Sequence, residues 1–162
     1  MREFELVPLP VRPGDLERIL QWNLDVWGTR IPGYDQAGWR AFYERCLLSD
    51  YEHFDGESEL AWVIIYEGEA IGSIALVHED DLPAFEHLSP WLAAFVIDPQ
   101  RRHQGLGRAV VHDFEEMVRA LGMSTLYLWT DVYTDWYRSL GYSVVEHSTI
   151  GEIDMDVMVK EL

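Results

Sequence analysis

The chain has 162 residues, of which 48% are hydrophobic and 13% aromatic, so a disordered protein is excluded and one domain with a sizeable core is expected. Its 29 acidic residues outnumber 12 basic ones and give a formal net charge of -17. Such a surface repels nucleic acid and attracts small cations. No apolar run is long enough to cross a membrane, and the N-terminus lacks the apolar core of a signal peptide. We therefore expect a cytoplasmic protein that binds neither nucleic acid nor membrane.

The first half of the chain predicts a strand, two helices and a hairpin. Apolar side chains recur at helical spacing in the first helix, in a stripe that also includes Asn23. Cys46 follows a similar stripe in the second helix and is expected to be a buried thiol, without a disulfide partner. The predicted elements are a strand at 4–7, helices at 15–27 and 36–48, and strands at 60–66 and 70–77.

The second half begins with a strand at 91–97 that is apolar at every position, which is typical of a strand covered on both faces. A helix at 108–121 and a strand at 126–129 follow, and strand, helix and strand at this spacing predict a parallel pair. A short helix at 134–140 and strands at 142–147 and 153–159 close the chain. We therefore expect an α/β fold of the mixed α+β kind, with a mostly antiparallel sheet and helices on both faces.

The turn between the strand at 91–97 and the next helix has the sequence RRHQGLGR, at residues 101–108. A helix N-terminus offers unpaired N–H groups, glycine lets the backbone close around an anion, and arginine adds forked donors. The turn is therefore interpreted as a phosphate site, with solvated arginines as the alternative. A Walker loop would need Gly-Lys-Ser/Thr, and a dinucleotide fingerprint would need glycine in place of Val110.

Two motifs resemble those of the GNAT superfamily of N-acetyltransferases. RHQGLG at 102–107 is similar to its R/Q-x-x-G-x-G/A signature, and WYRSLGY at 136–142 is similar to its F-Y-x-x-x-G-F motif. His103 departs from the glycine that many members carry. The resemblance implies one N-acetyltransferase-like domain over 1–162, with a splayed parallel strand pair and acetyl-CoA as co-substrate. It implies that the cofactor is bound by Phe95, Val96, Ile97, Arg101, Arg102, His103, Gln104, Gly105, Leu106, Gly107 and Arg108.

The resemblance also assigns catalytic roles. It implies that the Tyr137 hydroxyl faces the sulfur of CoA and protonates the departing thiolate. Many relatives carry a glutamate on the central strand, but no carboxylate occurs at 91–97. Asp80 and Asp81 are therefore the favoured general bases, and Asp131 and Asp135 are weaker candidates. The expected reaction is direct attack of a primary amine, with a small cationic amine favoured by the acidic composition.

Alternatives remain at this point. The missing strand carboxylate allows a non-catalytic module that binds acyl-CoA, and the turn alone allows a nucleotide-binding regulator.

His78 and His87 match no known spacing of metal ligands, so no metal is expected. Many relatives dimerise, which makes a homodimer an expectation.

Overall fold

The strands and helices follow the chain order that the sequence predicts. The structure is a computed structural model that describes residues 4–102 and 104–162. Four helices of more than one turn are α1 Leu16–Trp27, α2 Gln36–Leu47, α3 Leu106–Ala120 and α4 Thr134–Ser139. The strands are β1 Phe4–Pro8, β2 Glu59–Tyr66, β3 Glu69–Val77, β4 Trp91–Ile97, β5 Thr125–Thr130, β6 Ser143–Ile150 and β7 Ile153–Glu161.

The strands form one mixed sheet in the order β1-β2-β3-β4-β5-β7-β6. Strands β4 and β5 are parallel, and the other paired neighbours are antiparallel. The predicted hairpin of β2 and β3, the parallel pair and the closing hairpin of β6 and β7 are all confirmed.

The parallel strands β4 and β5 separate soon after they meet. Their register contains one pair, Trp91 with Tyr127, and the Tyr127 N–H also donates to the Pro90 carbonyl at 3.0 Å. Toward the carboxyl ends the ladder is lost, so a gap opens between the strands. The splayed pair implied by the family resemblance is therefore confirmed.

A bulge interrupts the ladder between β3 and β4, and no residue pattern in the sequence predicts it. Ser73 pairs with Val96, whereas Ala75 pairs with Ala93, so two residues of β4 lie opposite one of β3. The first of the two, Ala94, has a φ of 49°, which is unusual for a residue other than glycine. The bulge redirects the backbone of β4 where the gap begins.

The helices cover both faces of the sheet, as predicted. On one face α3 buries Val110 and Phe114 against the strands. On the other face α1 and α2 bury a second cluster that includes Trp39 and Cys46. Cys46 is buried as expected, and burial raises the pKa of its thiol. No helix within residues 4–102 and 104–162 has both the length and the apolar character that a bilayer crossing requires.

Candidate active site

A cavity of about 590 Å³ lies where β4 and β5 separate. Its floor is residues 92–96 of β4, and its sides are formed by α1, α2 and the segment that leaves β5. All three predicted catalytic residues, Tyr137, Asp80 and Asp81, line this one cavity. Arg102 from the predicted phosphate site lines it as well. The fold therefore brings both predicted motifs to a common space.

Asp80 and Asp81 follow the end of β3, yet their surroundings differ. Asp80 is half-buried, and Asp81 is exposed. Burial raises the pKa of Asp80 to about 8, and the negative charge of Asp81 adds to the shift. The nearby Trp129 indole N–H acts in the opposite direction and lowers the pKa of Asp80. This N–H makes no hydrogen bond of normal geometry to any described residue. Asp80 is thus a much stronger base than an ordinary aspartate.

Asp81 is held by Tyr34, a residue that no sequence motif indicates. The Tyr34 hydroxyl donates a hydrogen bond of 2.8 Å to Asp81 Oδ2, and Tyr34 also lines the cavity. Burial, followed by the charges of Asp80 and Asp81, raises the pKa of Tyr34. Tyr34 therefore stays protonated and fixes Asp81, while Asp80 remains available to react.

Aromatic side chains form much of the cavity wall. Trp27 packs edge-on against Trp129, with ring centroids 5.2 Å apart, and Trp39 packs in the same way against Phe42 at 6.0 Å. All four line the cavity. Trp27 belongs to α1 and Trp39 to α2. Next to acidic groups, aromatic faces can bind a cation.

A charged pair lies at the edge of the same cavity. Arg30 forms an ion pair with Asp131, and its guanidinium lies 5.1 Å from the centre of the Trp27 ring. Asp131 is therefore already paired with a cation and is a poor candidate for the base. Asp135 pairs with Arg138 at 2.9 Å, and its side chain is 97% exposed.

Tyr137 is 8% exposed and lies between two aromatic rings. Its ring centroid is 4.9 Å from that of Trp136 and 5.7 Å from that of Tyr142. Burial raises the pKa of Tyr137, and the neighbouring Tyr133 adds to the shift. Its hydroxyl makes no hydrogen bond to any residue in the described ranges. Tyr137 is therefore protonated at neutral pH and able to donate to a group in the cavity.

The arginine-rich turn forms the start of α3. The helix begins at Leu106, two residues earlier than predicted, with Gly105 as its N-cap at a φ of 76°. That φ favours glycine, and glycine has no side chain to occupy the first N–H groups of the helix. Gln104 and Gly105 are exposed, and the N-cap makes no side-chain hydrogen bond to these N–H groups. Anion binding at this N-terminus therefore stays a prediction.

The side chains of the turn point in different directions. Arg102 donates from Nε to the Ile97 carbonyl at 3.0 Å and faces the cavity. Arg101 instead lies 5.5 Å from the centre of the Tyr66 ring, and Arg108 donates to Ser139 at 3.1 Å. Thus one arginine of the three reaches the cavity, and His103 lies outside the described residues.

The remaining predicted cofactor residues divide in a similar way. Phe95 and Val96 line the cavity, whereas Ile97 and Leu106 are each 9% exposed and belong to the core. Gly107 packs against Trp136, since a Cβ there would lie 3.3 Å from its ring. Gly107 therefore allows α3 to approach α4 and Tyr137. Among the described residues, no group of three His, Cys, Asp or Glu side chains could hold a metal ion.

Comparison with solved structures identifies the fold. The chain is similar to aminoglycoside 6′-acetyltransferase type Ii, with a TM-score of 0.70 and 18% identity, covering 98% of this chain and 96% of that one. It is also similar to spermidine N-acetyltransferase from Vibrio cholerae, solved in complex with CoA and spermine. There the TM-score is 0.69 and the identity 16%, over 98% of this chain and 95% of that one.

Comparison of sequences identifies the family. The chain is 32% identical over 91 residues to an amino-acid acetyltransferase of Pseudomonas aeruginosa and 32% identical over 92 residues to that of Pseudomonas putida. The matched segments are 56% and 57% of this chain but 20% of each relative, so the chain spans about a fifth of their length. Residues 16–142 match the acetyltransferase (GNAT) family. Because that match includes most of the chain and both predicted motifs, the chain belongs to the acetyltransferase (GNAT) family.

Proposed function

We propose that this chain transfers the acetyl group of acetyl-CoA to the primary amine of a small cationic acceptor. The observation that carries the proposal is one cavity with a basic carboxyl and a protonated tyrosine along a splayed strand. The open start of α3 lies at the carboxyl end of that strand. These are the groups that amine acetylation from a thioester requires.

The binding of CoA in this proposal is supported by the geometry at the start of α3. The pyrophosphate would be bound by N–H groups of the first turn and by Arg102, the one arginine of the turn that reaches the cavity. The pantetheine arm would then extend along the gap between β4 and β5, beside Phe95 and Val96.

The transfer itself would proceed in one complex of both substrates. The acceptor ammonium gives a proton to Asp80, and the neutral amine nitrogen attacks the thioester carbon. A C–N bond forms as the C–S bond breaks, and the departing thiolate takes a proton from Tyr137. The surplus proton of the attacking nitrogen passes to the Tyr137 oxygen, directly or through water, which leaves a neutral amide and restores the tyrosine, and Asp80 then releases its proton to solvent. Asp80 suits the first step because a pKa of about 8 lies closer to that of an amine than an ordinary carboxyl pKa does.

The acceptor class is supported by charge and by relatives. Asp80 and Asp81 line the same cavity as Trp39 and Trp129, and acidic groups together with aromatic faces can bind ammonium groups. The structural relatives include enzymes whose names specify spermidine or an aminoglycoside, which are cationic amines. The expectations of a cytoplasmic homodimer and of a metal-independent reaction stay predictions.

Thiol release from acetyl-CoA tests this function. With a short diamine we expect release that depends on the amine, with kcat/KM about tenfold above that for a neutral-tailed monoamine of equal length. A reaction without amine is the control for simple hydrolysis. If acetyl-CoA binds but no amine in a broad panel releases thiol, the chain is a non-catalytic acyl-CoA module and the proposal is wrong.

A further inference from the structure

Three polar side chains meet in the core between α1, α2 and β3. Asn23, Tyr43 and Ser73 are 0%, 0% and 1% exposed. Asn23 Nδ2 donates to the Tyr43 hydroxyl at 2.7 Å, and Tyr43 Oη lies 3.4 Å from Ser73 Oγ. Asn23 Nδ2 also lies 3.3 Å from Ser73 Oγ. The cavity residues described above include none of the three.

This polar cluster reaches the cavity through one backbone atom. Ser73 Oγ donates to the Ala94 carbonyl at 3.3 Å. Because a carbonyl can only accept, the single hydroxyl proton of Ser73 is used there, and Ser73 accepts from Tyr43. The two protons of the Asn23 amide go to the Tyr43 hydroxyl and to the Ile19 carbonyl, which lies 3.0 Å away. The hydrogen bonds therefore have one direction, from Asn23 through Tyr43 and Ser73 to Ala94.

Ala94 is the bulged residue at the floor of the cavity. Its φ of 49° is unfavourable for a side chain larger than glycine, so surrounding contacts must hold it. Ser73 lies on β3, on the side of β4 that faces away from β5. The Ala94 carbonyl thus points away from the gap. In a planar trans peptide the next N–H points the opposite way, so the N–H of Phe95 points toward the gap.

We infer that Asn23, Tyr43 and Ser73 are positioning residues that aim the Phe95 N–H at the oxygen of the acetyl thioester. The inference rests on the proposed function, since it needs an acetyl group in the gap. A donor fixed before the reaction stabilises the oxyanion that forms when the amine attacks. The cluster also carries a cost, because Asn23 Oδ1 is buried with no hydrogen-bond partner among the described residues. A purely structural core would do better with apolar side chains at these positions.

Ser73→Ala tests the inference kinetically. We expect kcat to fall about tenfold, less than the ~10²–10³-fold loss that follows removal of an oxyanion donor itself. KM for the amine and Kd for acetyl-CoA should stay within about twofold, since Ser73 is not among the residues that line the cavity. Tyr43→Phe should have a smaller effect, and the double variant should be no slower than Ser73→Ala, because both act through one carbonyl.

Tyr51→Phe is the matched control. The Tyr51 hydroxyl also joins α2 to the sheet, because it donates to the Cys46 carbonyl at 2.9 Å and accepts from the Ala61 N–H at 3.0 Å, but it does not reach Ala94. It should lower stability as Tyr43→Phe does and leave kcat unchanged. If Tyr43→Phe and Tyr51→Phe lower kcat by the same factor, the polar cluster has only a structural role and the inference is wrong.

NMR spectra of protein labelled with ¹⁵N-phenylalanine and ¹⁵N-glycine separate this inference from the function on which it rests. Replacing CoA with acetyl-CoA should shift the Phe95 amide resonance in the wild type and not in Ser73→Ala. The Gly105 and Gly107 resonances should respond to CoA equally in both proteins. If Phe95 responds alike in both, the inference fails while the proposed function stands. If Gly105 and Gly107 respond to neither ligand in the wild type, the proposed function fails and the inference with it.

Discussion

Asp80→Asn should lower kcat/KM by about 10²–10⁴-fold and at the same time stabilise the fold. The loss of rate is expected because the amide cannot accept the proton of the acceptor amine. In the wild type kcat/KM should rise with pH and level off above about pH 8, where Asp80 becomes ionised. Initial rates of thiol release between pH 6 and 10 measure both effects.

The gain in stability follows from the same pKa. The carboxyl has a pKa of about 8 in the folded protein and an ordinary value of 3.8, so between these values the folded state binds more protons than the unfolded state. Stability therefore falls as pH rises through this window. Asparagine has no charge to bury, so it avoids this loss of stability. We expect Asp80→Asn to raise the free energy of unfolding by about 2 kcal/mol at pH 9, or Tm by about 4–8 °C, and to change it little near pH 4.

Asp81→Asn is the matched control for both measurements. It removes the like charge that raises the pKa of Asp80 and leaves the proposed base in place. The variant should stay active, with the rising limb of its pH profile moved to lower pH. If Asp81→Asn loses rate as Asp80→Asn does and Asp80→Asn keeps it, the base has been assigned to the wrong carboxyl.

Tyr137→Phe should lower kcat by about 10²-fold or more and leave Kd for CoA within about twofold. The ring keeps its packing between Trp136 and Tyr142, so only the proton donor is lost. The Tyr137 hydroxyl makes no hydrogen bond to any described residue, and its removal should therefore cost little stability. Single-turnover kinetics together with titration of CoA separate the rate from the affinity.

Tyr142→Phe provides the contrast, because its hydroxyl donates to Glu115 at 2.8 Å inside the core. Loss of that hydrogen bond should lower stability by about 1 kcal/mol and leave kcat unchanged. An unchanged kcat in Tyr137→Phe would remove Tyr137 from the mechanism and leave the protonation of the thiolate to solvent.

The order of the elements could be predicted because apolar periodicity reports burial directly. The wholly apolar strand at 91–97 and the helical stripe that ends near Leu121 are examples. The bulge at Ala94 could not be predicted, because alanine carries no signal for a positive φ, whereas the glycine at position 105 does. The length of the ladder between β4 and β5 also lacks a sequence signal, and the splay was implied by family resemblance alone.

The candidate site was predictable in its parts and not in its details. Asp80, Asp81 and Tyr137 were named from the sequence. The different roles of the two carboxyls depend on the residues around them, which the sequence does not show. Tyr34, which binds Asp81, comes from a loop whose path the sequence does not constrain. Two signals of the buried polar cluster were visible. Asn23 interrupts the apolar stripe of α1, and Ser73 interrupts the apolar run of β3. A polar residue at a core position needs a partner, but sequence spacing does not say which one.

Thermal unfolding with acetyl-CoA, CoA and NAD at equal concentrations tests the central claim most directly. A ligand present at about 100 times its Kd adds about 2.7 kcal/mol, or about 5–10 °C in Tm for a domain of this size. We predict this rise with acetyl-CoA and with CoA, and no rise with NAD. No rise with either CoA compound, or an equal rise with NAD, would contradict a CoA site at the start of α3 and with it the proposed acetyl transfer.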